Sequence, residues 1–125
     1  MIELQPPSFP AAIAVAVILV VGNLMSMLTV RWGADGRLDR WGYAGLRTAA
    51  TRASDEAWRA GHEAALRPAN TGAGAGIVFA IVSVLSANSV APYLVALSLA
   101  VISTLTGVIL SLVIAHRAAK AVAGK

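Results

Sequence analysis

Polar and apolar positions divide this chain into long blocks rather than short alternations. No Asp, Glu, Lys, Arg or His occurs between Leu4 and Val30, and none between Pro68 and Ala115. A helix of about 20 apolar residues crosses a hydrocarbon core of roughly 30 Å. The first block therefore predicts a transmembrane helix over about residues 9–30. Pro10 suits its first turn, and Arg31 with Trp32 marks its exit at an interface. The second block is too long for one span and suits two. Ser86-Ala87-Asn88-Ser89, followed by Pro92, breaks it into helices over about 70–87 and 92–115, joined as a hairpin. Gly72 and Gly76 form a G-x-x-x-G pattern, a face that another backbone can approach closely. On the first span, Asn23, Ser26 and Thr29 recur every three residues and form a polar helix-packing stripe.

The connecting stretch 31–67 is charged and holds all three tryptophans, Trp32, Trp41 and Trp58. Asp35-Gly36 reads as a turn. Ser54 suits an N-cap, with Asp55 and Glu56 at the positive helix end, and Pro68 is expected to stop that helix after Arg67. At about 100° per residue, Glu56, Arg59, Glu63 and Arg67 share one side, and Trp58, Gly61, His62 and Ala65 the other. Asp55–Arg59, Arg59–Glu63 and Glu63–Arg67 are i,i+4 pairs of opposite charge. The pattern predicts a short interfacial amphipathic helix anchored in lipid by Trp58. The fold class is an all-α membrane protein. It comprises one domain, 1–125, with three transmembrane helices, a cytoplasmic interfacial helix between the first and second, and a basic tail over 116–125.

Composition sharpens this picture. Hydrophobic residues make up 58%, charged residues 13%, and mean hydropathy is +0.73. A soluble domain carries roughly a quarter of its residues charged, so a soluble globule and a disordered chain are both excluded. The net charge of +4 would suggest nucleic acid in a soluble protein. Here the basic residues flank spans and report orientation, so no nucleic-acid partner is expected. The loop carries seven arginines, and the tail carries Arg117, Lys120 and Lys125. Three spans place both on one side. The positive-inside rule then puts the N-terminus outside and the loop and C-terminus in the cytoplasm, in an inner (plasma) membrane. The first segment has no basic n-region and no cleavage signal, so it is expected to persist as a span.

Chemistry is sparse. The spans hold no ionisable group, which disfavours a transporter working alone. Zero cysteines exclude disulfides and thiolate metal sites, and His62 and His116 lie far apart in sequence, so no metal site is expected. Glu56, His62 and Glu63, with Arg47 to hold an anion, are the only acid–base candidates. A helix-end position for Glu56, an ion ladder for Glu63, and headgroup contact or a loop carboxylate for Arg47 explain them better. No catalytic residue or cofactor is expected. His62 shares the Trp58 face; it packs there or, in the alternative, titrates near its ordinary pKa.

The string from Gly45 to His62 resembles the signature loop of the SdpI-like family, bacterial integral membrane proteins related to the immunity protein of the sporulation-delaying-protein toxin. Gly45, Arg47, Thr48, Thr51, Ser54, Glu56, Trp58 and His62 carry the resemblance. It implies a non-enzymatic membrane protein acting in immunity or signalling towards a membrane-active agent, with the loop as contact surface. The lipid bilayer and a protein, in the membrane or at its cytoplasmic face, are the expected partners. The alternative is a small accessory subunit of a larger membrane complex. Opposite charges on Arg47 and Glu56 suggest a pair that locks the loop against the span ends.

Overall fold

Three helices account for most of the chain. The computed structural model describes residues 3–123. In it α1 spans Phe9–Asp35, α2 Asp55–Leu85 and α3 Val90–Ala123, with a single 3-10 turn, Thr51–Ala53, ahead of α2. All three are long and apolar enough to cross a membrane. Lys125, counted in the basic tail, lies outside the described residues.

Ser8 caps α1 by accepting from the Ala11 amide, and Gly36, with φ of +90°, ends it at the expected turn. The helix continues past Val30 because Val30 and Gly33 are both buried. Packing, and not the first charged residue, sets its end. The hairpin turn falls where Ser86–Ser89 predicts it, and Pro92 sits in the first turn of α3, where a missing N–H costs nothing.

Two expectations need correction. There is no separate interfacial helix over 55–67: the stretch is the opening part of α2, which runs unbroken through Pro68 to Leu85. Proline removes one backbone bond and crowds the preceding turn. Ala65 and Ala69, on either side of it, are buried in one cluster with Val30, Leu46 and Ala115. That packing carries the helix across the proline, as neighbouring helices commonly do in membranes. At about 1.5 Å per residue, α2 is about 46 Å long, so its charged opening turns project beyond a hydrocarbon core of roughly 30 Å. The basic tail is likewise helical. α3 passes Ala115 and continues through His116, Arg117 and Lys120 to Ala123. Ala115 and Ala119 are fully buried, and the alanine-rich sequence favours helix.

α2 lies between α1 and α3 and packs along both. Small residues line these contacts: Ala16, Ala80 and Ala100 form one cluster, while Ile18, Ile102 and Ile109 face outward. Small side chains inside and large ones outside is the pattern of helices that associate in lipid. Gly72 meets Gly107 of α3 so closely that a Cβ on Gly72 would sit 2.5 Å from the Gly107 Cα. A Cβ on Gly76 would lie 2.6 Å from Thr104 Oγ1 and 2.9 Å from Asn23 Nδ2. The G-x-x-x-G face thus packs within the chain. Asn23 Nδ2 donates to Leu19 O (2.8 Å) and to Thr104 Oγ1 (3.0 Å), a polar stitch between α1 and α3. Of the predicted stripe, Asn23 alone is buried; Ser26 and Thr29 are half-buried.

Candidate functional site

The charged end of the bundle holds the densest polar chemistry. Between α1 and α2 the chain makes an irregular loop, and its turn from Gly45 to Thr51 sits on all three helices. The structure brings together six of the eight signature residues here: Gly45, Arg47, Thr48, Thr51, Trp58 and His62.

Thr51 is the hub of the turn. It is fully buried, its hydroxyl donates to Leu46 O (2.8 Å), and it accepts from the Thr48 amide (2.8 Å). Thr48 Oγ1 in return accepts from the Thr51 amide (3.1 Å). Two threonines three residues apart thus satisfy each other's backbone, as hydroxyl side chains do in turns. His116, from α3, places Nδ1 3.0 Å from Thr48 Oγ1.

His62 holds the opposite side of the turn and is also fully buried. Its Nδ1 lies 2.8 Å from Trp58 O, and its Nε2 accepts from the Leu46 amide (3.0 Å). A carbonyl only accepts and an amide only donates, so Nδ1 carries the proton and Nε2 is bare. The ring is therefore neutral. Burial holds its pKa below the ordinary histidine value and outweighs the bond to Trp58 O, which acts the other way. No buried side-chain nitrogen or oxygen among the described residues lacks a partner.

Close backbone approach makes the seat possible. Gly45 has φ of +104°, and a Cβ there would lie 2.9 Å from both His62 Nε2 and the Trp58 ring. At Gly33 of α1 a Cβ would overlap the His62 imidazole. Gly61 touches Ala115 of α3 and Thr51, each 3.0 Å from where its Cβ would stand.

Trp58 is buried, so it is not the lipid anchor that its amphipathic pattern suggests. Its indole donates to Leu38 O (2.8 Å), and its ring packs against His62 at a tilt of 42° with centroids 4.2 Å apart. The predicted apolar face (Trp58, Gly61, His62, Ala65) is real, but it packs on protein. The exposed loop aromatics are Trp41 and Tyr43.

The Arg47–Glu56 lock does not form. Arg47 Nη1 donates to Arg40 O (3.1 Å) and its guanidinium lies over the Trp58 ring at 6.0 Å, while Glu56 is exposed in the first turn of α2. Its place is taken by Arg40, which pairs with Asp55 (3.0 Å) and donates to Arg52 O (3.0 Å). Among the described residues the ion pairs are Arg40–Asp55 and Arg37–Asp35, so the i,i+4 ladder along α2 is not closed. Those side chains are exposed, where pairing gains little over solvation. Ser54 does cap α2, accepting from the Ala57 amide at 3.0 Å.

His116, Gly33 and the backbone of Leu46 belong to this seat but were not singled out by motif. Backbone partners leave no trace in residue identity, and His116 is 68 residues from Thr48. No group of three His, Asp or Glu among the described residues is placed to hold a metal.

No curated protein and no solved structure gives a match to the chain. A family model, that of the SdpI/YfhL proteins, matches residues 37–116. The match runs through the loop and α2 and ends at the histidine that meets Thr48. Covering well over half of the sequence and every hydrogen-bonding residue of the seat, it establishes that this chain belongs to the SdpI/YfhL protein family.

Proposed function

We propose that the chain is a non-enzymatic protein of the plasma membrane that gives protection against, or signals about, a membrane-active agent. Its N-terminus lies outside and its loop and C-terminus in the cytoplasm, as the arginines of the loop and the basic residues of α3 favour. The observation that carries the reading is the buried turn itself. A threonine hub and two histidines fix the loop on three helices, so the outward residues, among them Trp41, Tyr43 and Arg52, form a defined surface rather than a slack linker. A rigid loop of this kind suits contact with a partner.

The test is survival of cells exposed to a membrane-active peptide, with and without the chain. Protection by the native chain and its loss on replacing Trp41, Tyr43 and Arg52 together by alanine are expected. No protection, or equal protection by the triple variant at equal membrane abundance, would sink the reading.

One observation favours a second role, that of an accessory subunit. Between α1 and α3 runs an open cleft of about 420 Å³ lined by Gly22, Met25, Ser26, Thr29 and Val108. Among the described residues, a Cβ on Gly22 would meet no atom of another helix within 4 Å. A helix from a larger complex fits such a surface. Gentle-detergent purification yielding a fixed-stoichiometry complex would support that role, and a chain that purifies alone would count against it.

A further inference from the structure

His62 is buried, neutral by its bonding pattern, and placed where its one free nitrogen holds the loop. We propose that His62 is a proton-operated latch, whose ionisation at Nε2 expels the Leu46 amide and releases the Gly45–Thr51 turn from α2. The latch needs only the loop geometry and is independent of what the loop contacts.

Protonated Nε2 becomes a donor pointing at another donor, the Leu46 N–H 3.0 Å away. The ring cannot turn aside to relieve this. Gly33 presses on one side, Gly45 and the Trp58 ring on another, and Nδ1 is committed to Trp58 O. Relief must come from the loop, which has no regular secondary structure between Leu38 and Arg47 beyond turns and bends.

The surrounding charges do not rescue an imidazolium. On α1, Arg31 and Asp35 flank Gly33 and are exposed. The loop offers Arg47, a cation, 6.0 Å from the centre of the Trp58 ring. On α2 itself Arg59 and Glu63 are exposed, and among the described residues no carboxylate lies within ion-pair distance of His62. α3 presents His116, which reaches the turn through Thr48 and not His62. Protonated Nε2 therefore lacks an acceptor in the closed seat and gains one, water, only by opening it.

The sign follows from the lowered pKa. Neutral His62 stabilises the seat above the ordinary histidine range, and that contribution is lost as pH falls through the folded-state value. Release is thus an acid response.

The chain has no cysteine, so Ala49→Cys gives a single exposed site for a spin label on the turn. The labelled full chain, in lipid nanodiscs, is followed from about pH 8 to about pH 5 by electron paramagnetic resonance, while ¹⁵N-histidine NMR reads His62 ionisation. His116→Gln identifies the His62 signal. The latch predicts that label mobility rises several-fold along the same titration curve as His62 Nε2, and that His62→Gln, which keeps an amide acceptor without a titrating group, leaves mobility flat with pH. Ionisation of His62 with an unchanged label would overturn it, as would failure of His62 to ionise over that range. An equal acid response in His62→Gln would assign the motion elsewhere and overturn it too. If His62→Gln does not fold, the paired label and NMR curves of the native chain decide.

Discussion

The two ends of α2 are held by different physics. Towards Leu85 its partners are met through shape: Gly72 against Gly107, Gly76 against Thr104 and Asn23, and alanines along the remaining contacts. Towards Asp55 the partners are met through named polar atoms: Thr51 on Leu46 and Thr48, His62 on Leu46 and Trp58, His116 on Thr48. In hydrocarbon, apolar side chains gain little from leaving lipid, so close backbone approach supplies the attraction. At the charged end the chain leaves helical geometry, and each buried backbone group there must find a side chain. The span tolerates any residue small enough. The seat demands specific donors and acceptors.

Substitutions that alter chemistry without shape should separate the two ends. Thr51→Val keeps the volume and removes the hydroxyl, stranding the Leu46 carbonyl and the Thr48 amide. Each orphan costs about 1–3 kcal/mol, so for the two together a loss of about 2–6 kcal/mol is expected by titration into denaturing detergent. Next comes a change of shape without polarity. Gly72→Ala drives a Cβ against the Gly107 backbone, and overpacking of this kind costs about 1–3 kcal/mol. Its effect should appear in the unfolding midpoint while the loop stays immobile. Smallest is Thr104→Val, which takes one partner from Asn23 but leaves the bond to Leu19 O. Hydrogen bonds between membrane helices are worth about 0.6 kcal/mol on average. If Thr104→Val proved as costly as Thr51→Val, the contrast between the ends would fail.

Sequence reading reached the spans because absence of charge over a long run is a direct consequence of the hydrocarbon core. The seat was only half legible. The two faces of the stretch 55–67 are legible, since a 3.6-residue period survives whatever covers the apolar side. What covers it did not follow: Trp58 on an amphipathic face is equally suited to lipid and to protein, and only the fold places Leu38 and His62 against it. Pro68 signals a helix end by local propensity alone, and the packing of Ala65 and Ala69 outweighs it from either side. Arg47 and Glu56 misled because charge complementarity gives no direction; the guanidinium turns to Arg40 O and the Trp58 face instead. Thr48 and Thr51 were legible as signature positions, whereas their reciprocal bonding requires the turn that the structure supplies.

Leu46 and Thr48 offer the most direct measurement, because their amides bond to side chains and to nothing else in the loop. Amide hydrogen exchange of the full chain in nanodiscs at neutral pH should find both strongly protected, like the amides within α2. Tyr43 and Ala44, exposed in the same loop, should exchange freely. Exchange of Leu46 and Thr48 at the rate of Tyr43 and Ala44 would contradict the central claim, that a polar seat and not a slack linker joins the first two spans.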